Sequence, residues 1–198
     1  MKTIVLIIIT LLLLSCSPDT MKEKTLDNEQ IATFAGGCFW CIEGSIEDQD
    51  GVNKAISGYA GGTEENPTYQ QVASGKTSHR EAVQVYYNPD VVSYKELVTF
   101  FFWQIDPTQE DGQFVDRGFQ YTTAVFYHNN EQKKIAKEVI AEMQKKFDKP
   151  IVTAVLPFTT FYEAEDYHQD YSKKRTVQYK IYEQGSGRPQ FIKEKYGK

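Results

Sequence analysis

Two cysteines three positions apart carry the first chemical signal, in Gly36-Gly37-Cys38-Phe39-Trp40-Cys41-Ile42-Glu43-Gly44. A thiolate is a nucleophile, a redox centre and a metal ligand. On a helix, residues i and i+3 share a face, so Cys38 and Cys41 stand near the separation a disulfide needs. The glycine pair permits a tight turn and close backbone approach. The segment predicts a helix over 38–48 with Cys38 in its first turn, where free N–H groups and the helix dipole lower a thiol pKa. Phe39 and Trp40 between the cysteines suit a site that grips a small apolar group. Spacing alone leaves several readings open. A zinc half-site lacks a second CxxC, and His79, His128 and His168 lack ligand spacing. A structural disulfide closing so short a loop would stabilise little. A thioredoxin-type redox pair normally follows a strand and opens a helix, as here, although Phe39 and Trp40 are unlike that motif. A catalytic cysteine with a resolving partner also fits the spacing.

The elements that must position this turn follow from pattern. Strands are predicted over 31–35, 82–87, 122–127 and 151–156, with a weaker one over 177–182. Asn88-Pro89 and Pro157 stop two of them. Asn66 and Pro67 read as the N-cap and first residue of a helix. Ser93-x-x-Glu96 is a capping box that opens a helix to about Gln104, with Leu97, Val98 and Phe101 inward. Over 131–147, Ile135, Ala136, Val139, Ile140, Met143 and Phe147 recur at helical spacing. Interleaved strands and helices predict an α/β or α+β class, with one sheet covered by helices.

The chain is 198 residues, 40% apolar and 25% charged, with net charge −5 and 14% aromatics. This is single-domain size and ordinary globular composition. The acidic balance argues against nucleic acid as partner, and three cysteines are too few for a disulfide scaffold. Residues 1–15 run from Met1-Lys2 through an apolar stretch to Leu13-Leu14-Ser15, followed by Cys16. The stretch is too short to span a bilayer and fits a signal peptide. Leu13-Leu14-Ser15-Cys16 resembles the bacterial lipobox, which implies lipidation of Cys16. It also implies an extracytoplasmic, membrane-anchored chain, on the outer membrane or in the periplasm if the source is Gram-negative. Residues 16–29 read as a polar, flexible tether.

From Ile31 to Gly197 the chain resembles the A-type methionine sulfoxide reductases, the peptide-methionine (S)-S-oxide reductases. The resemblance rests on Gly37-Cys38-Phe39-Trp40, Gly58-Tyr59-Ala60-Gly61-Gly62, Asn66-Pro67-Thr68-Tyr69, His79-Arg80-Glu81, Asp116-Arg117-Gly118-Phe119-Gln120-Tyr121, and Ala164-Glu165-Asp166-Tyr167-His168-Gln169-Asp170-Tyr171, in the family's order. It implies one domain over 30–198, a two-layer α/β sandwich with a ferredoxin-like plait. It implies reduction of the S epimer of methionine sulfoxide in proteins. In that scheme Cys38 attacks sulfur and Glu81 protonates the oxygen, which requires a carboxyl kept protonated by burial. Tyr69 and Tyr121 bond the oxygen and Asp116 stands nearby. Phe39 and Trp40 wall the S-methyl group, and Tyr171 is a further family tyrosine assigned to substrate binding. Cys38 becomes a sulfenic acid, Cys41 resolves it, and a thioredoxin-like protein or other dithiol reduces the disulfide. The implied enzyme is a monomer that needs no metal or other cofactor. Ser78, Arg80 and Thr122 depart from the usual residues at their positions. A thiol–disulfide oxidoreductase is the chief rival, since it needs the cysteine pair but not Glu81. A lipoprotein that binds without turnover is a third reading.

Overall fold

The computed structural model describes residues 28–197. The signal segment 1–15, Cys16 and most of the tether 16–29 lie outside the described residues. A six-stranded sheet runs in the order β7-β6-β1-β3-β2-β8. Its strands are β1 (Gln30–Ala35), β2 (Val52–Ala60), β3 (Arg80–Tyr87), β6 (Ala124–Tyr127), β7 (Ala154–Pro157) and β8 (Phe161–Glu163). A two-stranded ribbon pairs β4 (Gly112–Gln113) with β5 (Asp116–Arg117). Helices α1 (Phe39–Ile46), α2 (Tyr69–Ala73), α3 (Tyr94–Trp103) and α4 (Asn130–Gln144) precede a helical C-terminus of α5 (Tyr171–Lys174), α6 (Thr176–Ser186) and α7 (Arg188–Tyr196). Pairing is antiparallel except between β6 and β7, which α4 joins as a crossover. This is the mixed α/β, two-layer class expected.

Side chains alternate across a strand. On β3, Val83, Val85 and Tyr87 therefore face one side with Glu81, under the helices, while Ala82 joins a smaller cluster with Ala35, Ala60, Ala124 and Phe126. The main core sets Leu97, Val98, Phe101 and Phe102 of α3 and Ala136, Val139 and Met143 of α4 against β1 and β3. Phe34 stacks on Phe101 with centroids 4.9 Å apart. Each such buried side chain contributes about 1.5–3 kcal/mol by removal from water.

The Ser93 capping box forms as expected, its hydroxyl accepting from the Glu96 N–H. Two expectations fail, and one strand was unforeseen. Asn66 is not a cap: it takes a left-handed φ of 48°, and the cap of α2 is Thr68, whose capping box uses Gln71. The stretch over 177–182 is helical. Its Val177-x-Tyr179-x-Ile181 alternation imitates a strand, but Val177 and Ile181 are exposed and share one face of α6, while Tyr179 and Ser186 are buried. The long β2 was not expected, because Ser57 and Gly58 interrupt its apolar pattern.

Candidate active site

Chain path and glycine geometry build the Cys38 turn. β1 ends at Ala35, and Gly37 turns the chain at φ +82°. A Cβ there would lie 2.6 Å from the Gln113 side chain. Cys38 is the N-cap of α1 rather than its first residue. The Phe39 N–H, first in the helix, donates to Glu81 Oε2 at 3.0 Å. A carboxyl from the sheet thus takes the helix-capping role, which brings Glu81 beside Cys38. Cys41 donates its backbone N–H to the Cys38 carbonyl at 3.2 Å, and both thiols are free and buried.

Cys38, Phe39, Trp40, Tyr69, Glu81, Asp116, Tyr121 and Tyr182 line one cavity of about 130 Å³. Cys38 is 6% exposed and Glu81 2%. A larger groove of about 490 Å³ lies between Gln49, Asp50 and residues 91–103, away from both cysteines. Burial pushes Glu81 up to about 8, against the Phe39 N–H, with Asp116 and Cys41 adding. Burial likewise pushes Tyr69 up to about 12 and raises Tyr121 and Tyr182, so all three remain protonated donors near neutral pH. Asp116 is raised by burial while accepting a short hydrogen bond from the Tyr182 hydroxyl. Burial also pushes the Cys38 thiol well up, with the Cys41 sulfur and the Glu81 charge adding and the Tyr182 hydroxyl opposing. This reverses the lowered Cys38 pKa expected from the helix terminus, because the Phe39 N–H is taken by Glu81 and burial dominates. Cys41 is held below the ordinary thiol value by Cys38 beside it, with Arg188 helping.

A nucleophile, a buried protonated acid, hydroxyl donors and an aromatic wall suit attack at a centre that bears an oxygen and a small apolar group. The peptide methionine sulfoxide reductase family model matches residues 30–198. The chain belongs to this family. It is 51% identical over 180 residues to the peptide methionine sulfoxide reductase MsrA of Bacillus subtilis, covering 89% of this chain and 99% of that protein. It is 50% identical over 182 residues to the MsrA/MsrB protein of Vibrio cholerae, covering 91% of this chain and about half (48%) of that longer protein. Reduced Mxr1 from Saccharomyces cerevisiae superposes with a TM-score of 0.72 at 35% identity, over 76% of this chain and 87% of that one. Mxr1 is also solved in complex with Trx2, a match with a TM-score of 0.53 at 28% identity, over 77% of this chain and 91% of that one.

In this methionine sulfoxide reductase, residues from several of the motifs named above support the cavity. Glu165 accepts from the Tyr69 N–H at 3.0 Å and from the Tyr59 hydroxyl at 2.7 Å, tying α2 to the sheet. Gln120 donates to the Ala73 carbonyl at 2.9 Å, which sets the Phe119–Tyr121 3₁₀ turn, and so Tyr121, against α2. His79 accepts from the Gly62 N–H and bonds the Glu64 carbonyl through Nε2 at 2.8 Å, fixing the chain before Glu81. Trp40 donates its indole N–H to His168 Nδ1 at 3.1 Å. Tyr171 does not line the cavity; it stacks on Trp40 at 3.8 Å and 7°. The other expected residues of the described region, Cys38, Phe39, Trp40, Tyr69, Glu81, Asp116 and Tyr121, all meet at the cavity, with Cys41 next to Cys38. Tyr182 and Arg188 were not anticipated. Tyr182 was one tyrosine among 13 in a stretch read as strand, and Arg188 carried no motif; the helical spacing of Tyr179, Tyr182 and Ser186 was the available signal.

Proposed function

We propose that this enzyme reduces the S epimer of methionine sulfoxide in proteins through a sulfenic acid on Cys38. The observation that carries the reading is that a carboxyl protonated to about pH 8 shares one cavity with a cysteine. Sulfoxide oxygen leaves poorly unless it is protonated, and Glu81 supplies the proton while the Tyr69 and Tyr121 hydroxyls orient the oxygen. As Cys38 gives up its proton to the neighbouring Cys41 sulfur, its thiolate attacks sulfur. Methionine leaves, and the oxygen remains on Cys38 as a sulfenic acid. Cys41 then attacks the Cys38 sulfur, forming the disulfide and releasing water. A sulfoxide sulfur is pyramidal. Methyl against Phe39 and Trp40, oxygen at Glu81 and sulfur at Cys38 leave one direction for the rest of the side chain, so one epimer fits. The family resemblance makes that epimer S.

A thioredoxin-like dithiol resets the disulfide in this scheme, a reading supported by the Mxr1–Trx2 complex. Lipidation at Cys16 and an extracytoplasmic, membrane-anchored location are part of the proposal and rest on the lipobox-like Leu13-Leu14-Ser15-Cys16. Radiolabelled palmitate should label the full chain in a bacterial host and not the Cys16→Ser variant; equal labelling of both would refute the anchor. For the chemistry, a Cys41→Ser variant without reductant should release one methionine per enzyme and leave one oxygen on Cys38, trapped by a dione reagent and mapped by mass spectrometry. A variant that releases methionine with no oxidised Cys38 would contradict the scheme. The disulfide-exchange rival predicts that Glu81→Gln leaves the physiological activity untouched.

A further inference from the structure

Arg188 opens α7, yet its side chain runs back beneath the Cys38 turn. It is 3% exposed. Nη2 donates to the Gly36 carbonyl at 2.9 Å, and Nη1 donates to the Gln104 carbonyl through a short hydrogen bond. The guanidinium lies 4.8 Å from the centroid of the Phe114 ring. A Cβ on Gly37 would come within 3.1 Å of Nη2. Arg188 makes no ion pair among the described residues, and its buried Nε has no hydrogen-bond partner. An arginine keeps its charge in proteins, and a buried charge without a counter-ion is costly. Carbonyl dipoles and a ring face account for part of its stabilisation, and without a direct ion pair its charge acts through space on the site, where it also favours the Asp116 carboxylate.

The groups whose charges bear on Cys41 are Cys38 from the turn, Glu81 from β3, Asp116 from β5, and Tyr179, Tyr182 and Glu183 from α6. Each is neutral or becomes an anion. Arg188 is the cation among them. We infer that Arg188 is a positioning residue for the resolving step: anchored on Gly36, it places its charge, free of any direct ion pair, where Cys41 must become a thiolate to attack the Cys38 sulfenic acid. The inference rests on the reading of Cys41 as the resolving cysteine. In that step the Cys41 electron pair forms the S–S bond and the Cys38 S–O bond breaks. The Cys41 proton passes to the Glu81 carboxylate left by the first step, and the departing hydroxide takes it from there and leaves as water. The same charge favours Cys41 as the leaving thiolate when a dithiol attacks Cys38, because leaving-group thiols of lower pKa depart faster.

The test mixes the reduced full chain with one equivalent of a methionine sulfoxide peptide, without reductant, and quenches it over a range of pH. Peptide mapping then counts sulfenic acid and disulfide at Cys38. Arg188→Gln keeps an amide able to hold the Gly36 carbonyl and loses the charge; Arg188→Lys keeps the charge and loses the fork. In Arg188→Gln the profile of disulfide formation should move about one pH unit alkaline, so that the sulfenic acid persists about tenfold longer near neutrality. Arg188→Lys should hold its profile near that of the native chain. Coincident profiles for the native chain and Arg188→Gln would overturn the inference. An equal shift in Arg188→Lys would overturn it too, since loss of packing rather than of charge would then be the cause. If the native chain forms no Cys38–Cys41 disulfide, the map shows that the reading of Cys41 has failed, and the inference falls with it.

Discussion

The Glu81 carboxyl caps α1 through the Phe39 N–H and faces the cavity, where burial raises it to about 8. The first chemical step should therefore hold its rate below about pH 8 and decline as pH rises through that value. Glu81→Gln should slow this step by about 10²–10⁴-fold and abolish the alkaline decline, read by rapid quench across pH. The same shift sets a stability trend. A carboxyl raised from its ordinary value of 4.5 holds a proton in the folded chain that the unfolded chain releases. Its contribution is complete below about pH 4.5 and is lost as pH climbs to about 8. Glu43, pushed up to about 7 by burial, acts with the same sign. Urea titrations near pH 5 and near pH 9 should show the native chain losing stability toward alkali, with Glu43→Gln and Glu81→Gln each losing less. At this scale the cysteines were readable from their glycine and aromatic setting. Glu81, Tyr69, Tyr121 and Asp116 were not distinguishable by residue type: they reach the cavity from separate elements, and only the resemblance singled them out.

The start of α1 and the face of α6 decide the cavity at the level of elements. Gly37 sits at φ +82° with the Gln113 side chain where a Cβ would go. Gly37→Ala should destabilise the fold by about 1–3 kcal/mol from backbone strain alone and cut activity sharply, as seen by thermal unfolding and turnover. Tyr171 supports Trp40 by stacking rather than by lining the cavity. Such aromatic pairs are worth about 0.5–1.5 kcal/mol, so Tyr171→Ala should raise KM for a sulfoxide peptide about 2–10-fold and change kcat less. An unchanged KM would remove Tyr171 from the account. α3 and α4 were readable because a capping box and a long 3.6-residue period are local signals. α6 was misread because a short alternating stretch fits either period, and packing under Tyr179 decided the outcome. β2 was hidden because pairing with β3, rather than its own composition, makes it a strand.

At the scale of the whole molecule, a sheet centred on β1 and β3 carries the helix layer on one face, and the site lies where the start of α1, the β5 ribbon and α6 converge. The named core residues and the eight residues that line the cavity all lie among the described residues. A chain that starts at Asn28, whose side chain meets exposed Asp90, should turn over sulfoxide peptide with dithiothreitol at the rate of the full chain; a collapse in rate would place part of the working enzyme in residues 1–27. Whether Cys38 reduces one epimer with Glu81 as proton donor is decided by offering the separate S and R epimers of a methionine sulfoxide peptide to the reduced protein, with Cys38→Ser in parallel, and following methionine formation. The expected result is turnover of the S epimer alone and none in the variant. Reduction of both epimers, or turnover surviving Cys38→Ser, would contradict it.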